Sequence, residues 1–252
     1  MEFPWSKTGA GRCFCYTLHM QAVILAAGHG TRMDELTTAV PKPMLDLEGR
    51  PLLQYKLDAL GPEFNDVIIV VGYEADAIKH RFSAAYDGRK ITYVEQRMNG
   101  TAGALWSAQE LLKDKFLVMT GDDIFAAEDI ERIAAVEGAW AVLAQELPEM
   151  HRAGLIELDA EGRVARILEG DLGSAPGVAS TNLFLLDTRI FSYSPVPKQP
   201  GSLEYGLPQT IVEAASSLGI PFEPVFTDRW IQINSPGDLV RAAALVKTGE
   251  YK

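Results

Sequence analysis

"VILAAGHGTRMDELTTAVPKPML", running from Val23 to Leu45, is the stretch whose reading decides the fold. It opens as an unbroken apolar strand and breaks at Gly28 and Gly30. It then sets Arg32 and Lys42 downstream, with Pro41 and Pro43 bracketing the lysine. A purely apolar strand is one buried on both faces, as in a parallel sheet. Glycines at its exit let backbone N–H groups approach phosphate oxygens closely, and the two cations add formal charge.

Outward from this stretch, apolar runs alternate with helical patterns. Strands are expected at 22–27, 66–72, 91–96, 116–123 and 139–147. Helices are expected between them at 51–60, 74–86, 101–112 and 126–136. This alternation predicts an α/β fold, with a Rossmann-like, mostly parallel central sheet covered by helices on both faces. After Pro148 the texture changes. Residues 154–170 read as two strands around a turn at 159–162, 179–187 as another, 222–234 as an extended segment, and 204–218 and 236–247 as helices. The later part is thus a mixed half of the same domain, spanning 20–252.

Ligands of open parallel sheets bind beyond the carboxyl ends of the strands. The loops after the first, third and fourth strands should therefore converge on one crevice, bringing together Gly28 to Arg32, Gln96 to Thr101 and Gly121 to Asp123. A carboxylate at a strand end suits Mg²⁺ held against phosphates, and the combination reads as a triphosphate site. Each part alone is ambiguous. "GHGTRM" is not the dinucleotide fingerprint, because Met33 holds its sixth position, and no Walker A pattern occurs. A glycine pair also makes plain turns, a lone lysine is usually solvated, and "GDD" can simply turn the chain into a capped helix.

The chain has 252 residues, 47% of them hydrophobic, and a formal charge of −11. That is enough to bury a full core. The negative balance argues against a broad nucleic-acid or anionic-membrane surface, so any bound anion must meet a local positive site. No apolar run reaches the roughly 18 residues of a membrane span. Residues 1–19 lack the pattern of a secretory signal, and the expected compartment is cytoplasmic. Both cysteines, Cys13 and Cys15, lie in this segment. With His19 they lack the fourth partner of a structural zinc site. The segment reads as a disordered leader, or as sequence upstream of a start at Met20.

The residues also match a family. "LAAGHGTRMDELTTAVPKPMLDLEGRPLLQY", followed in order by "NGTAGAL" (99–105) and "GDD" (121–123), resembles the signature of the sugar-1-phosphate nucleotidylyltransferases. The resemblance implies transfer of a nucleoside monophosphate from an NTP to a sugar 1-phosphate, with release of pyrophosphate and Mg²⁺ as cofactor. Residue by residue, it implies that Ala26, Ala27, Gly28, Gly30 and Thr31 cradle base and phosphates. Arg32 and Lys42 become the phosphate-binding cations, with Lys42 nearest the α-phosphate. Gln96, Gly100 and Thr101 form the base-reading edge, Asp122 is the Mg²⁺ ligand, and Gly154 and Glu169 contact the sugar. His29 falls at a variable position of the motif.

The acceptor half departs from that pattern. Where the family commonly carries Glu-Lys, this chain has Glu169-Gly170. Where it commonly reads Asn-Ala-Gly, this chain has "STN" at 180–182, and the Trp-x-Asp that supplies a second metal carboxylate is Trp230-Ile231-Gln232. Gln232 is neutral and a poorer Mg²⁺ ligand; the alternatives are that Asp123 or water replaces the lost carboxylate, or that the correspondence with the family pattern slips in this loop. The leading expectation is a nucleotidyltransferase using UTP or dTTP. The alternatives are a regulatory homologue that binds nucleotide or NDP-sugar with little turnover, and a cytidylyltransferase acting on an alcohol phosphate such as phosphocholine. A glutamine amide can serve either pyrimidine by exchanging donor and acceptor. Sugar identity and oligomeric state are not encoded in these motifs.

Overall fold

The computed structural model describes residues 19–28, 37, 40–150, 153–170, 173–249 and 251. The opening strand, β1 (Gln21–Ala26), precedes a small hairpin, β2 (Asp46–Leu47) and β3 (Arg50–Pro51). α1 (Leu52–Ala59), β4 (Asp66–Val71), α2 (Ala75–Phe82), β5 (Ala85–Tyr86) and β6 (Arg89–Glu95) follow. Then come α3 (Gly100–Ser107), β7 (Lys115–Thr120), α4 (Ala127–Ala134) and β8 (Trp140–Leu147). The later half holds β9 (Gly154–Leu158), β10 (Val164–Leu168), β11 (Gly177–Asp187), α5 (Leu207–Leu218), β12 (Phe222–Thr227) and α6 (Pro236–Val246).

Ten strands form one mixed sheet. β1 pairs parallel to β4 on one side and to β7 on the other, and β4 pairs parallel to β6. The chain thus winds outward from β1 through β4 and β6, then returns to the far side of β1 as β7. The connections diverge between β1 and β7, which places the ligand crevice of an open sheet beyond those two strand ends. β11 lies antiparallel to β7 over its second half and to β9 over its first. Its other edge carries β8, which pairs parallel to β12.

The apolar sequence of β1 follows from this position. Ala22, Ile24 and Ala26 point into a core with Leu53 and Leu57 of α1, Ile78 and Phe82 of α2, and Ile130 and Ile133 of α4. Val23, Leu25 and Ala27 point into the opposite core with Ala102 and Leu105 of α3 and Ile211 of α5. Both faces are covered, so β1 has no polar face. A third cluster joins Leu47, Leu52 and Tyr55 to Ile231, Ile233 and Val246, and fastens α6 to the sheet end. Among the described residues no helix is long and apolar enough to cross a membrane.

Several expected elements are shorter than their patterns, and in three the cause bears on the sheet or the site. The helix expected over 74–86 stops at Phe82, because Ser83 takes a φ of 55° and turns the chain back so that Ala85 and Tyr86 pair with the start of β6. The helix expected over 101–112 ends at Ser107 and continues as a 3-10 turn at Gln109–Leu111. The strand expected over 116–123 ends at Thr120, which leaves Gly121, Asp122 and Asp123 beyond the sheet.

One glycine joins the two halves. Gly100 has a φ of +86°, and a Cβ there would lie 2.5 Å from Tyr205 N. The contact is close because Tyr205 N–H donates to Asn99 O and Ala102 N–H donates to Tyr205 O. Gly100→Ala should therefore strain the backbone and push these segments apart, at a cost of about 1–3 kcal/mol. A melting curve lowered by several degrees checks this, and an unchanged one would show that the contact yields freely.

Candidate active site

Lys42 opens a 3-10 turn, Lys42–Met44, with Pro41 at φ −65° before it and Pro43 inside it. Proline fixes φ at Pro41 and Pro43 and narrows the conformations of the residue before each, and the turn ends where Leu45 becomes extended at ψ 134°, so the lysine's backbone keeps one place. Across the crevice, Gly121 N–H donates to Leu25 O. A Cβ at Gly121 would meet Pro43 Cγ at 3.0 Å and Leu25 O at 3.1 Å. The bare glycine therefore lets the exits of β1 and β7 and the Pro-Lys-Pro turn converge. The result is an ion pair between residues 80 positions apart, with Lys42 Nζ 2.6 Å from Asp122 Oδ2.

Behind this pair lie two more charges. Asp123 is buried and accepts from Trp230 Nε1–H at 3.1 Å and from Ile233 N–H at 3.2 Å. Its carboxylate braces the 230–233 segment, and it is not among the residues lining the crevice. Lys56, on α1, is wholly buried, and its Nζ makes no hydrogen bond among the described residues. It stands 5.5 Å from the centre of the Phe125 ring. Burial pulls Lys56 down to about 8, against the pull of Asp123 and Asp122. Burial and the Asp122 charge push Asp123 up to about 7. Burial would raise Asp122 too, but Lys42 and Lys56 outweigh it and hold that carboxyl below its usual range. Buried ion pairs are poor stabilisers, since desolvation cancels much of their attraction. Clusters of shifted groups beside a cleft are a mark of functional sites.

The crevice has a volume of about 670 Å³. Of the residues singled out from sequence, Ala26, Ala27, Gly28, Lys42, Gln96, Gly100, Thr101 and Asp122 line it together. Gly30, Thr31 and Arg32, with His29, lie outside the described residues. So do Cys13 and Cys15 and all of the proposed leader except His19, whose ring meets Asn65 Nδ2.

Gln96 is more constrained than its sequence suggests. Its Nε2 donates to Met98 O at 2.6 Å and to Gly100 O at 3.1 Å. Exchanging the amide atoms would set oxygen against two carbonyls, so the group cannot flip to suit either pyrimidine. Nε2 is spent on the loop, and Oε1 is left as an acceptor. Thr101 is also engaged, since its hydroxyl accepts from Leu207 N–H at the start of α5.

Gly154 and Glu169 do not line this crevice but lie together beside it. A Cβ at Gly154 would lie 3.8 Å from Glu169 Cγ. Glu169 Oε2 accepts from Gln209 Nε2 at 3.1 Å and faces Lys198 Nζ at 3.5 Å. Lys198 lines the crevice, along with Glu204, Tyr205 and Asn234. None of these four carried a motif, and Lys56 was hidden inside an ordinary helical pattern. Gln232 is half-buried, with a partner of its own, and is not among the lining residues. Asp123 faces inward, with its two oxygens accepting from Trp230 and Ile233.

The donors present fit Mg²⁺ of one particular kind. Asp122 offers a hard anionic oxygen with its side chain 30% exposed. The described residues contain no group of three or more His, Cys, Asp or Glu that could cage an ion. Mg²⁺ commonly binds through one or two carboxylates plus substrate phosphates and water, which is what such a site permits.

The fold and site define a protein of the nucleotide-transferring α/β class. Residues 21–248 match the nucleotidyl transferase family model, and the chain belongs to that family. It is 30% identical over 229 residues to the UTP–glucose-1-phosphate uridylyltransferase AglF of Haloferax volcanii, an alignment covering 87% of this chain and 93% of that one. It is 29% identical over 229 residues to the bifunctional protein GlmU of Methanococcus maripaludis, covering 88% of this chain and 53% of GlmU. The chain thus spans about half the length of GlmU. The inositol-1-phosphate CTP transferase of T. maritima shares the fold, with a TM-score of 0.72 at 18% identity, over 91% of this chain and 96% of that one.

Gln96→Glu is nearly isosteric but sets a carboxylate against the Met98 and Gly100 carbonyls. It should loosen the loop and weaken nucleotide binding by roughly 0.5–1.5 kcal/mol, the net worth of a lost hydrogen bond. The rise in melting temperature on adding UTP with Mg²⁺ should shrink accordingly. An undiminished rise would separate this amide from nucleotide binding.

Proposed function

We propose that the protein transfers a nucleoside monophosphate from an NTP, UTP or dTTP in preference, to a sugar 1-phosphate, forming an NDP-sugar and pyrophosphate. The observation that carries this reading is the Lys42–Asp122 pair at the head of a crevice whose other wall is the Gln96–Thr101 loop. A module that only bound nucleotide would have no need of a buried cation where the α-phosphate must lie. Membership of the nucleotidyl transferase family supports the same reading.

In the reaction, an oxygen of the acceptor phosphate attacks the α-phosphorus in line, and the bond to pyrophosphate breaks. Two anions must meet. At about 4 Å each unit-charge pair costs on the order of 4 kcal/mol at an effective dielectric of 20. Lys42 lowers that cost by placing its ammonium at the meeting point, and Arg32 would add a second cation. No protein nucleophile is required. Bound at Asp122, Mg²⁺ would neutralise further phosphate charge and fix the triphosphate. Asp122 holds Lys42 in the crevice until substrate arrives, and Asp123 and Lys56 fix the floor beneath them.

The base preference rests on Gln96. Its acceptor Oε1 suits the N3–H of uracil or thymine, and would meet cytosine through the exocyclic amine instead, since N3 of cytosine is an acceptor. The neutral Gln232 is the one observation favouring a regulatory homologue. A single hard carboxylate still suffices for Mg²⁺ that arrives with phosphates.

A pyrophosphate-release screen of each NTP against sugar 1-phosphates and phosphocholine tests the reading. UTP or dTTP with a sugar 1-phosphate should give turnover. Lys42→Ala should lower it at least about a hundredfold, roughly 2.7 kcal/mol, while weakening nucleotide binding less. Nucleotide binding without turnover on any acceptor would favour the regulatory homologue.

A further inference from the structure

The resemblance places a cation directly after Glu169, and this chain has glycine there. The backbone shows why a lysine does not fit. Gly170 has a φ of +137°, a conformation L side chains rarely adopt. The acceptor end would therefore lack a positive charge unless another segment supplied one.

Such a segment is present. Residues 196–206 form a narrow loop in which Lys198 N–H donates to Glu204 O at 2.8 Å and Gly206 N–H donates to Val196 O at 3.0 Å. Pro197 and Tyr205 bridge across it. Through Tyr205 the loop is hydrogen-bonded to Asn99 and Ala102, on the nucleotide side of the crevice. Lys198 is thus carried on a platform fixed to the base loop. Its side chain lines the crevice while its Nζ stands 3.5 Å from Glu169 Oε2.

The pairing is loose enough to exchange. At 3.5 Å it exceeds ordinary hydrogen-bond length, and the Lys198 side chain is 40% exposed. A dianionic phosphate between Lys198 and the Lys42–Asp122 pair would draw the ammonium more strongly than one carboxylate does. Glu169, still held by Gln209, would then be free to accept from sugar hydroxyls. We propose that Lys198 is the cation that binds the phosphate of the acceptor, replacing across space the lysine that Gly170 cannot be. This rests on the reading that the acceptor is a phosphate ester.

The test is calorimetric and does not depend on turnover. With a non-hydrolysable UTP analogue and Mg²⁺ filling the nucleotide site, inorganic phosphate and α-D-glucose 1-phosphate are titrated into the wild type, Lys198→Met, Lys198→Arg and Glu169→Gln. Lys198→Met should bind both probes about tenfold or more weakly, the worth of a charge-assisted contact. Lys198→Arg should stay within about threefold of the wild type. Glu169→Gln should lose affinity for the sugar phosphate but not for inorganic phosphate, which a merely structural Lys198–Glu169 tether would not predict. Wild-type affinity in Lys198→Met, equal losses in Glu169→Gln for both probes, or no binding by the wild type would each overturn the proposal. The two readings fail separately. Turnover by the wild type with an unchanged acceptor KM in Lys198→Met defeats the lysine alone. Lys198-dependent binding without turnover defeats only the transferase reading.

Discussion

The contact between Lys42 and Asp122 is the constraint on which the rest of the structure depends. Two opposite charges 80 residues apart meet at 2.6 Å at the end of a parallel sheet. That requires the exits of β1 and β7 to run side by side, and a proline-bracketed turn to hold the lysine above them. Gly121 is the steric condition, since a methyl group there would press on Pro43 and on β1. The pair adds little net stability, because both charges must be desolvated. What it provides is a cation and a hard oxygen ligand held ready in one place.

The floor beneath the pair is built from charge as well. Asp123 ties the end of β7 to the 230–233 segment, and with it to α6, whose N-terminus is closed by a capping box between Ser235 and Asp238. Lys56 opposes the two carboxylates from below without a hydrogen bond among the described residues. A lone buried lysine would be costly, but two anions nearby offset the penalty. The two halves of the crevice are joined at Gly100 and Tyr205, so the Gln96–Thr101 loop and the loop carrying Lys198 share one set of backbone bonds.

Much of the donor end was legible in the sequence because its constraints are local. An apolar strand, glycines at its exit, Pro-Lys-Pro and a strand ending in Gly-Asp-Asp each fix backbone and chemistry within a few residues. Alternation of strands and helices then implies the parallel sheet and the crevice at its switch point. The acceptor end was less legible because its contacts are long-range. Nothing around Lys198 marks it, and only folding brings it to Glu169. Lys56 reads as one more residue in "PLLQYKLDAL", since periodicity cannot distinguish a buried lysine from a solvated one. Gln96 was identified by its place in the motif, but the fixed direction of its amide comes from carbonyls that only the folded loop presents. The left-handed Ser83 that ends α2 early is likewise invisible to hydrophobic periodicity.

The most direct test of the account is a crystal structure of the protein with a non-hydrolysable UTP analogue and Mg²⁺. In it, Lys42 Nζ should leave Asp122 for an oxygen of the α-phosphate, Asp122 should turn to the metal, and Gln96 Oε1 should accept from N3–H of the base. A nucleotide bound elsewhere, or bound in this crevice with the Lys42–Asp122 contact intact and the α-phosphate out of reach, would contradict it.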